Sequence, residues 1–132
     1  VPLFGGDGWE APELLQIGGA ALEGTYYSTH FSAENQDPKI QNFVKNYREK
    51  NGGNAPDSMA ALGYDSTMVL ADAIKRAGTT EGSKLRDAIA ATKDFIGVTG
   101  KTTLDAQRNA PKGAVIVTVQ NGKYKHVETI AP

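Results

Sequence analysis

The stretch LFGGDGWEAPELLQIGGAALEGTYYSTHF, Leu3 to Phe31, passes from an apolar end through glycines into a helical pattern and out into an aromatic, β-branched run. Leu3 and Phe4 read as the end of a buried strand, and Gly5, Gly6 and Gly8 break it. Pro12 sits near the start of a short helix, where a missing N–H costs little. Leu14, Leu15 and Ile17 give that helix an apolar side, and Gly18-Gly19 end it. Gly24 to Phe31 is a strand by composition and period, with Thr25, Tyr27, Thr29 and Phe31 on one face. Strand, short helix, strand suits a βαβ unit in a parallel sheet, which places the chain in the α/β class.

Working outward, Asp37-Pro38 is a helix start, with Asp as the cap and Pro at the first helical position. Ile40, Phe43, Val44 and Tyr47 follow as one buried stripe, and Asn51-Gly52-Gly53 stops the helix. A second start falls near Asp57. Its stripe is Met59, Leu62, Val69, Leu70, Ala73 and Ile74, with Gly78 as the stop. Thr80 is positioned to cap a third helix carrying Leu85, Ala88, Ile89 and Thr92. The segment with Gly97, Gly100 and Pro111 is turn-rich, and Gly113 to Ile130 is two runs around Asn121-Gly122, a strong hairpin signal. The order is β-α-β-α-α-α and a closing hairpin. Two strands and a distant hairpin make a poor sheet alone, and a parallel sheet wants both faces covered. Partner strands are therefore expected from another segment.

At 132 residues the chain is one ordinary domain or part of a larger one. A hydrophobic content of 39% with 22% charged residues fits a soluble globular protein. A net charge of −1 gives no electrostatic reason to meet nucleic acid or an anionic membrane. No apolar run approaches the roughly 20 residues of a membrane span. Without cysteine, disulfides and thiolate zinc sites are excluded. The chain opens on Val1 in mid-pattern, without a Met or a signal peptide, so it reads as processed or truncated.

Asp7 has two readings. It fills a turn or caps the short helix, as Asp does well. Alternatively it stands at the carboxyl end of a parallel strand, where open α/β sheets bind ligands. Glycines on both sides then let a ligand approach, and the carboxylate accepts hydrogen bonds from an ammonium. Trp9 lines a cleft or packs. Tyr64, two positions off the stripe residue Leu62, is core packing or a ring over a ligand side chain. Asp65 is a helix-surface acid, or the cap of a second half-helix if the chain breaks at Gly63. His30 and His126 stand alone, without a carboxylate at metal-ligand spacing. Ser28, Ser58, Ser66 and Ser83 lie in no nucleophile elbow, and the Gly5–Gly8 run matches no phosphate-cradling motif. Lys45, Arg48, Glu49 and Lys50 form a solvated helix face. No acid/base pair, activated nucleophile, metal set or cofactor motif assembles, so no catalytic residue and no enzyme is expected.

Three segments together resemble one family: PLFGGDGWEAPELLQIGG, LEGTYYSTHF through ALGYDSTMVLADAI, and FIGVTGKTTLDAQRNAPKGAVIVTVQNGKYKHV. They look like the C-terminal part of periplasmic-binding-protein type I receptors, nearest the branched-chain amino acid (Leu/Ile/Val) binding proteins of ABC importers. The resemblance runs over essentially the whole chain, with its elements in order. It implies two α/β lobes joined by three crossovers, of which this fragment supplies part of both. Residues 1–29 would belong to the second lobe, 30–33 to a crossover and 34–96 to the first lobe. Residues 97–132 would carry the return crossover and the second-lobe hairpin. It implies that Asp7 binds the ligand's α-ammonium, where many relatives carry Glu, and that Tyr64 contacts the ligand side chain. Gly6 and Trp9 are cleft-lining candidates by adjacency. The implied partners are an amino acid, a membrane permease and the missing N-terminal segment of the receptor. The implied location is the periplasm or cell exterior, with a lipid anchor as one means of attachment. Two further readings are a sensor domain of the same fold binding amides or other small polar ligands, and a half-lobe fragment that self-associates through exposed apolar faces.

Overall fold

The computed structural model describes residues 3–131; Val1, Pro2 and Pro132, at the ends of the expected lobe segments, lie outside the described residues. The chain forms two compact units. One comprises the residues through Ser58 together with those from Gly113 onward, and the other is Met59–Lys112.

The first unit is built on a four-stranded mixed sheet. Its strands are β1 (Phe4–Gly5), β2 (Tyr26–Thr29), β5 (Ala114–Gln120) and β6 (Lys123–Ile130), in the order β1-β2-β5-β6. β1 runs parallel to β2, with Phe4 opposite Tyr26 and Gly5 opposite Tyr27. The hairpin is no separate piece. β5 pairs antiparallel with β2, Tyr27 opposite Val117, so the chain supplies its own partner strands for β2. The turn at Asn121-Gly122 has positive φ at both residues, 53° and 67°, as a tight two-residue hairpin requires. Both turn amides donate to the Glu23 carboxylate, at 2.9 and 2.6 Å.

The alternation expected of β2 is present, since Thr25, Tyr27, Thr29 and Phe31 are all buried. Val115, Val117 and Val119 of β5 face the same way. Tyr27, Val115 and Val117 form a cluster against which Trp9 and Tyr124 pack. Tyr27 and Tyr124 meet edge to face at 5.5 Å, and burial pushes both phenols up, with the Glu10 carboxylate the next cause. Helix α1 (Pro12–Gly18) buries Leu14 and Leu15 in part. Ile17, expected on that side, is 87% exposed. Leu3 and Phe4 are likewise exposed rather than buried, because β1 is an edge strand of two residues. Phe4 instead stacks on Tyr26 at 5.6 Å.

Helix α2 (Pro38–Lys50) begins as expected: the Asp37 carboxylate accepts from the Lys39 amide at 2.7 Å. Phe43 and Val44 are buried, and Phe43 meets Phe31 edge to face at 5.9 Å. A ring of that size contributes about 1.5–3 kcal/mol when fully buried.

The second unit holds helix α3 from Met59 to its end at Ala77, helix α4 (Gly82–Ala90) and a small antiparallel pair, β3 (Phe95–Gly97) and β4 (Gly100–Thr102). Helix α3 opens one residue earlier, at Ser58. Its buried positions are Ser58, Ala61, Asp65 and Ala73; of the expected stripe Ala73 is buried and Leu62, Val69 and Ile74 are half-buried. Met59 and Leu70, expected inside, are exposed, because two alanines and an acid occupy the packed side. The cap of α4 is Glu81, whose carboxylate accepts from Ser83, and not Thr80. The two-stranded pair lies where only turns were expected.

Candidate functional site

The site grows from the carboxyl ends of the parallel pair. β1 ends at Gly5, and a single 3-10 turn, Asp7–Trp9, follows. β2 ends at Thr29, followed by His30. With Gly5 opposite Tyr27, Asp7 follows two residues after the end of the pairing on one strand and His30 three residues after it on the other. His30 Nε2 lies 3.5 Å from Asp7 Oδ2, with the side chains 40% and 52% exposed. His30 is therefore not alone, as its sequence neighbourhood implied; its partner comes from the adjacent strand end.

Asp7 does not serve as a cap. The residue that caps the 3-10 turn is Gly6 and the one that caps α1 is Ala11, and neither start takes a side-chain cap. The Asp7 backbone carbonyl accepts from Glu10 at 3.0 Å, while its carboxylate faces outward to His30. Gly6 has extended φ and ψ, and nothing stands within 4 Å of where a Cβ would sit, so the backbone there is open to approach.

The glycine that the packing demands is Gly5. A Cβ there would stand 2.2–2.7 Å from the Trp9 ring. Trp9 lies over Gly5 and against the core cluster, which answers whether it packs. We expect Gly5→Ala to displace the indole at a cost of about 1–3 kcal/mol. Because Trp9 is the chain's single tryptophan, its emission should shift. An unchanged spectrum and melting curve would refute this contact.

Glu10, which the sequence did not single out, is the anchor of the loop. Its carboxylate accepts from Thr29 Oγ1 at 2.7 Å and from the Ser58 amide at 3.1 Å. The Tyr124 hydroxyl donates to the Ala11 carbonyl at 2.9 Å. The loop bearing Asp7 is thus tied to β2 and β6 on its C-terminal side. The signal was available in principle: an acid after a Gly-rich turn with a threonine at the parallel strand's end.

Tyr64 belongs to the second unit, on α3, and is 42% exposed. Its neighbour Asp65 is neither a surface acid nor a cap of a broken helix, since α3 is continuous and Asp65 is buried. Its carboxylate accepts from the Val98 and Thr99 amides, each at 2.8 Å, and from Thr99 Oγ1 at 2.6 Å. A Cβ on Gly97 would stand 2.2–2.5 Å from that carboxylate, so the residue there must be glycine. Lys112 Nζ donates to Thr99 Oγ1 at 2.9 Å and Thr102 Oγ1 at 2.8 Å. Burial pulls the Lys112 ammonium down, and the Asp65 charge opposes this.

A cavity of about 450 Å³ in the first unit borders Glu10, Tyr27, Phe31, Arg48 and Tyr124. Another of about 780 Å³ in the second unit lies between α4 and the 104–108 turn. Gly6, Asp7, Trp9 and Tyr64 line neither of these two cavities. Among the described residues, no group of three His, Cys, Asp or Glu side chains could hold a metal. No helix among them is long and apolar enough to cross a membrane.

A mixed α/β sheet hosts many functions, and comparison with known proteins fixes the class as a binding protein. The chain belongs to the periplasmic binding protein family, of type I, whose model matches residues 1–124. It is similar to a leucine binding protein of Thermotoga maritima, with 40% identity and a TM-score of 0.86 over 98% of this chain and 37% of that one. It is similar also to the branched-chain amino acid transporter substrate binding protein of Streptococcus pneumoniae, solved in complex with isoleucine. That match has 36% identity and a TM-score of 0.85, covering 99% of this chain and 37% of the other. A Leu/Ile/Val-binding protein homolog of Brucella suis is 29% identical over 93% of this chain. The chain spans about a third of the length of such relatives.

Proposed function

We propose that the whole protein carrying this segment is a solute-binding receptor of an ABC importer that takes an amino acid, of the branched-chain class, between two lobes. The observation that carries this reading is Asp7: a carboxylate at the end of a parallel strand, half exposed and used as a cap by neither adjacent helix. A carboxylate so placed suits an ammonium. The isoleucine-bound relative agrees with that chemistry.

In this reading Asp7 pairs with the α-ammonium, Gly6 leaves room for the ligand's approach, and Trp9 stiffens the loop from beneath. Tyr64 packs on the ligand side chain with an apolar ring and a polar tip. Residues 1–29 and 97–132 serve one lobe and 34–96 the other, with crossovers at 30–33 and near Gly97. The residues that grip the ligand's carboxylate lie in the part of the relatives that this chain does not span. Closure of the lobes on the ligand is a hinge motion, and the closed form docks on a membrane permease. The setting is the periplasm or the cell exterior. The role is binding without chemical change, and it calls for no cofactor.

Titration calorimetry of the whole protein with leucine, isoleucine and valine tests the reading. The expected result is one-to-one binding of at least one of them. The 132-residue chain alone is expected to bind weakly or not at all. Tight one-to-one binding by the isolated chain would overturn the division of the site, and no binding by the whole protein would overturn the ligand class.

A further inference from the structure

Two adjacent parallel strands end with an acid after one and a histidine after the other, and the two side chains face each other at 3.5 Å. Both are partly open to solvent, so a ligand reaching the carboxylate also meets the imidazole. Several titratable groups nearby have other partners, while Glu13 on α1 acts on Tyr124 and Tyr26 on β2 stacks on Phe4. Glu10 holds Thr29 and Ser58. Glu34 pairs with Lys125 at 3.1 Å. Tyr27 and Tyr124 are kept neutral by burial.

We propose that His30 is a titratable competitor at the ligand site: its imidazolium occupies the Asp7 carboxylate that otherwise takes the ligand's ammonium, so binding an amine-bearing solute is coupled to loss of a proton from His30. The inference rests on the assignment of Asp7 above and adds the regulation of that same site. Imidazoles change charge between about pH 5 and 8. When His30 is charged, it neutralises Asp7 and repels an arriving ammonium. When it is neutral, the carboxylate is free. By linkage, a ligand that favours the neutral imidazole is itself favoured by it to the same degree. Affinity is therefore highest on the alkaline side and falls as the pH drops through the imidazole range. Water screens a pair this exposed, which limits the effect to about two- to fivefold.

The test is calorimetry of the whole protein with isoleucine at about pH 8 and about pH 5.5, in buffers of different ionisation heat. Affinity should fall about two- to fivefold at the lower pH, with net proton release on binding. His30→Gln should remove both the slope and the released proton, and His126→Gln should retain them. A flat wild-type profile, or a slope that survives His30→Gln, overturns the proposal while leaving the amino-acid reading intact. Absence of isoleucine binding at about pH 8 overturns that reading and this proposal with it. The contact has its own readout in the chemical shifts of the His30 ring protons by NMR. A ring-proton spectrum that does not change at all between the wild type and Asp7→Asn overturns the contact on which the proposal stands.

Discussion

Asp65→Ala should destabilise the second unit by about 3–5 kcal/mol. The carboxylate is buried and accepts two backbone amides and one hydroxyl from the turn between β3 and β4. Hydrogen bonds to a charged group are worth more than neutral ones, and removing the acceptor leaves buried amides without partners. Lys112, held through Thr99 and Thr102, would also lose the nearby charge that offsets its own burial. The effect should appear in urea denaturation followed by far-ultraviolet circular dichroism, and in faster hydrogen exchange at the Val98 and Thr99 amides. Trp9 emission, which belongs to the other unit, should follow the loss less closely. A cost below about 1 kcal/mol would refute this role for Asp65.

Asp7→Asn should weaken amino-acid binding by the whole protein roughly 30- to 700-fold, about 2–4 kcal/mol. The amide keeps the shape of the side chain and deletes its charge. The size of the loss depends on closure. In this structure the carboxylate is half exposed, and an ammonium pair there would be screened to under about 1 kcal/mol. Only a closed cleft that excludes water makes the pair strong. Calorimetry of the two proteins under identical conditions reads the ratio directly. A loss smaller than about fivefold would mean that Asp7 is not the ammonium's partner in a closed site.

Local chemistry was legible where it was sufficient. The face of β2, the Asp37-Pro38 helix start and the Asn121-Gly122 turn each depend on residues within a few positions, and each formed as read. The α/β class and the family followed from such elements taken in order. What could not be read depended on distant partners. The β3–β4 pair has strands of three residues, and its turn is stapled by Asp65, more than thirty positions earlier. On α3 the expected stripe held at Ala73 and in part at Leu62, Val69 and Ile74, but the acid and Ala61 take packed positions while Met59 and Leu70 are exposed. At the candidate site, Asp7, Gly6 and Trp9 were legible as a loop. His30 became Asp7's partner only through the parallel register, and Glu10 became the loop's anchor only through Thr29 and Ser58.

The pairing of β2 with β5 also governs the order of assembly. The chain leaves the sheet unit after Ser58 and re-enters it at Gly113, so the second unit is an insertion in the first. During synthesis β2 has only β1 beside it until the segment from Ala114 has emerged, since its other neighbour begins there. A structured insertion shortens the effective loop that must be closed, and the entropy of loop closure grows with loop length. The pairing of Tyr27 with Val117 joins residues far apart in sequence, and such pairings form slowly and leave an unpaired edge open to mispairing meanwhile. The last eighteen described residues therefore act as a latch: the Asp7 loop, pinned through Tyr124 on β6, reaches its final form only when the C-terminal hairpin arrives.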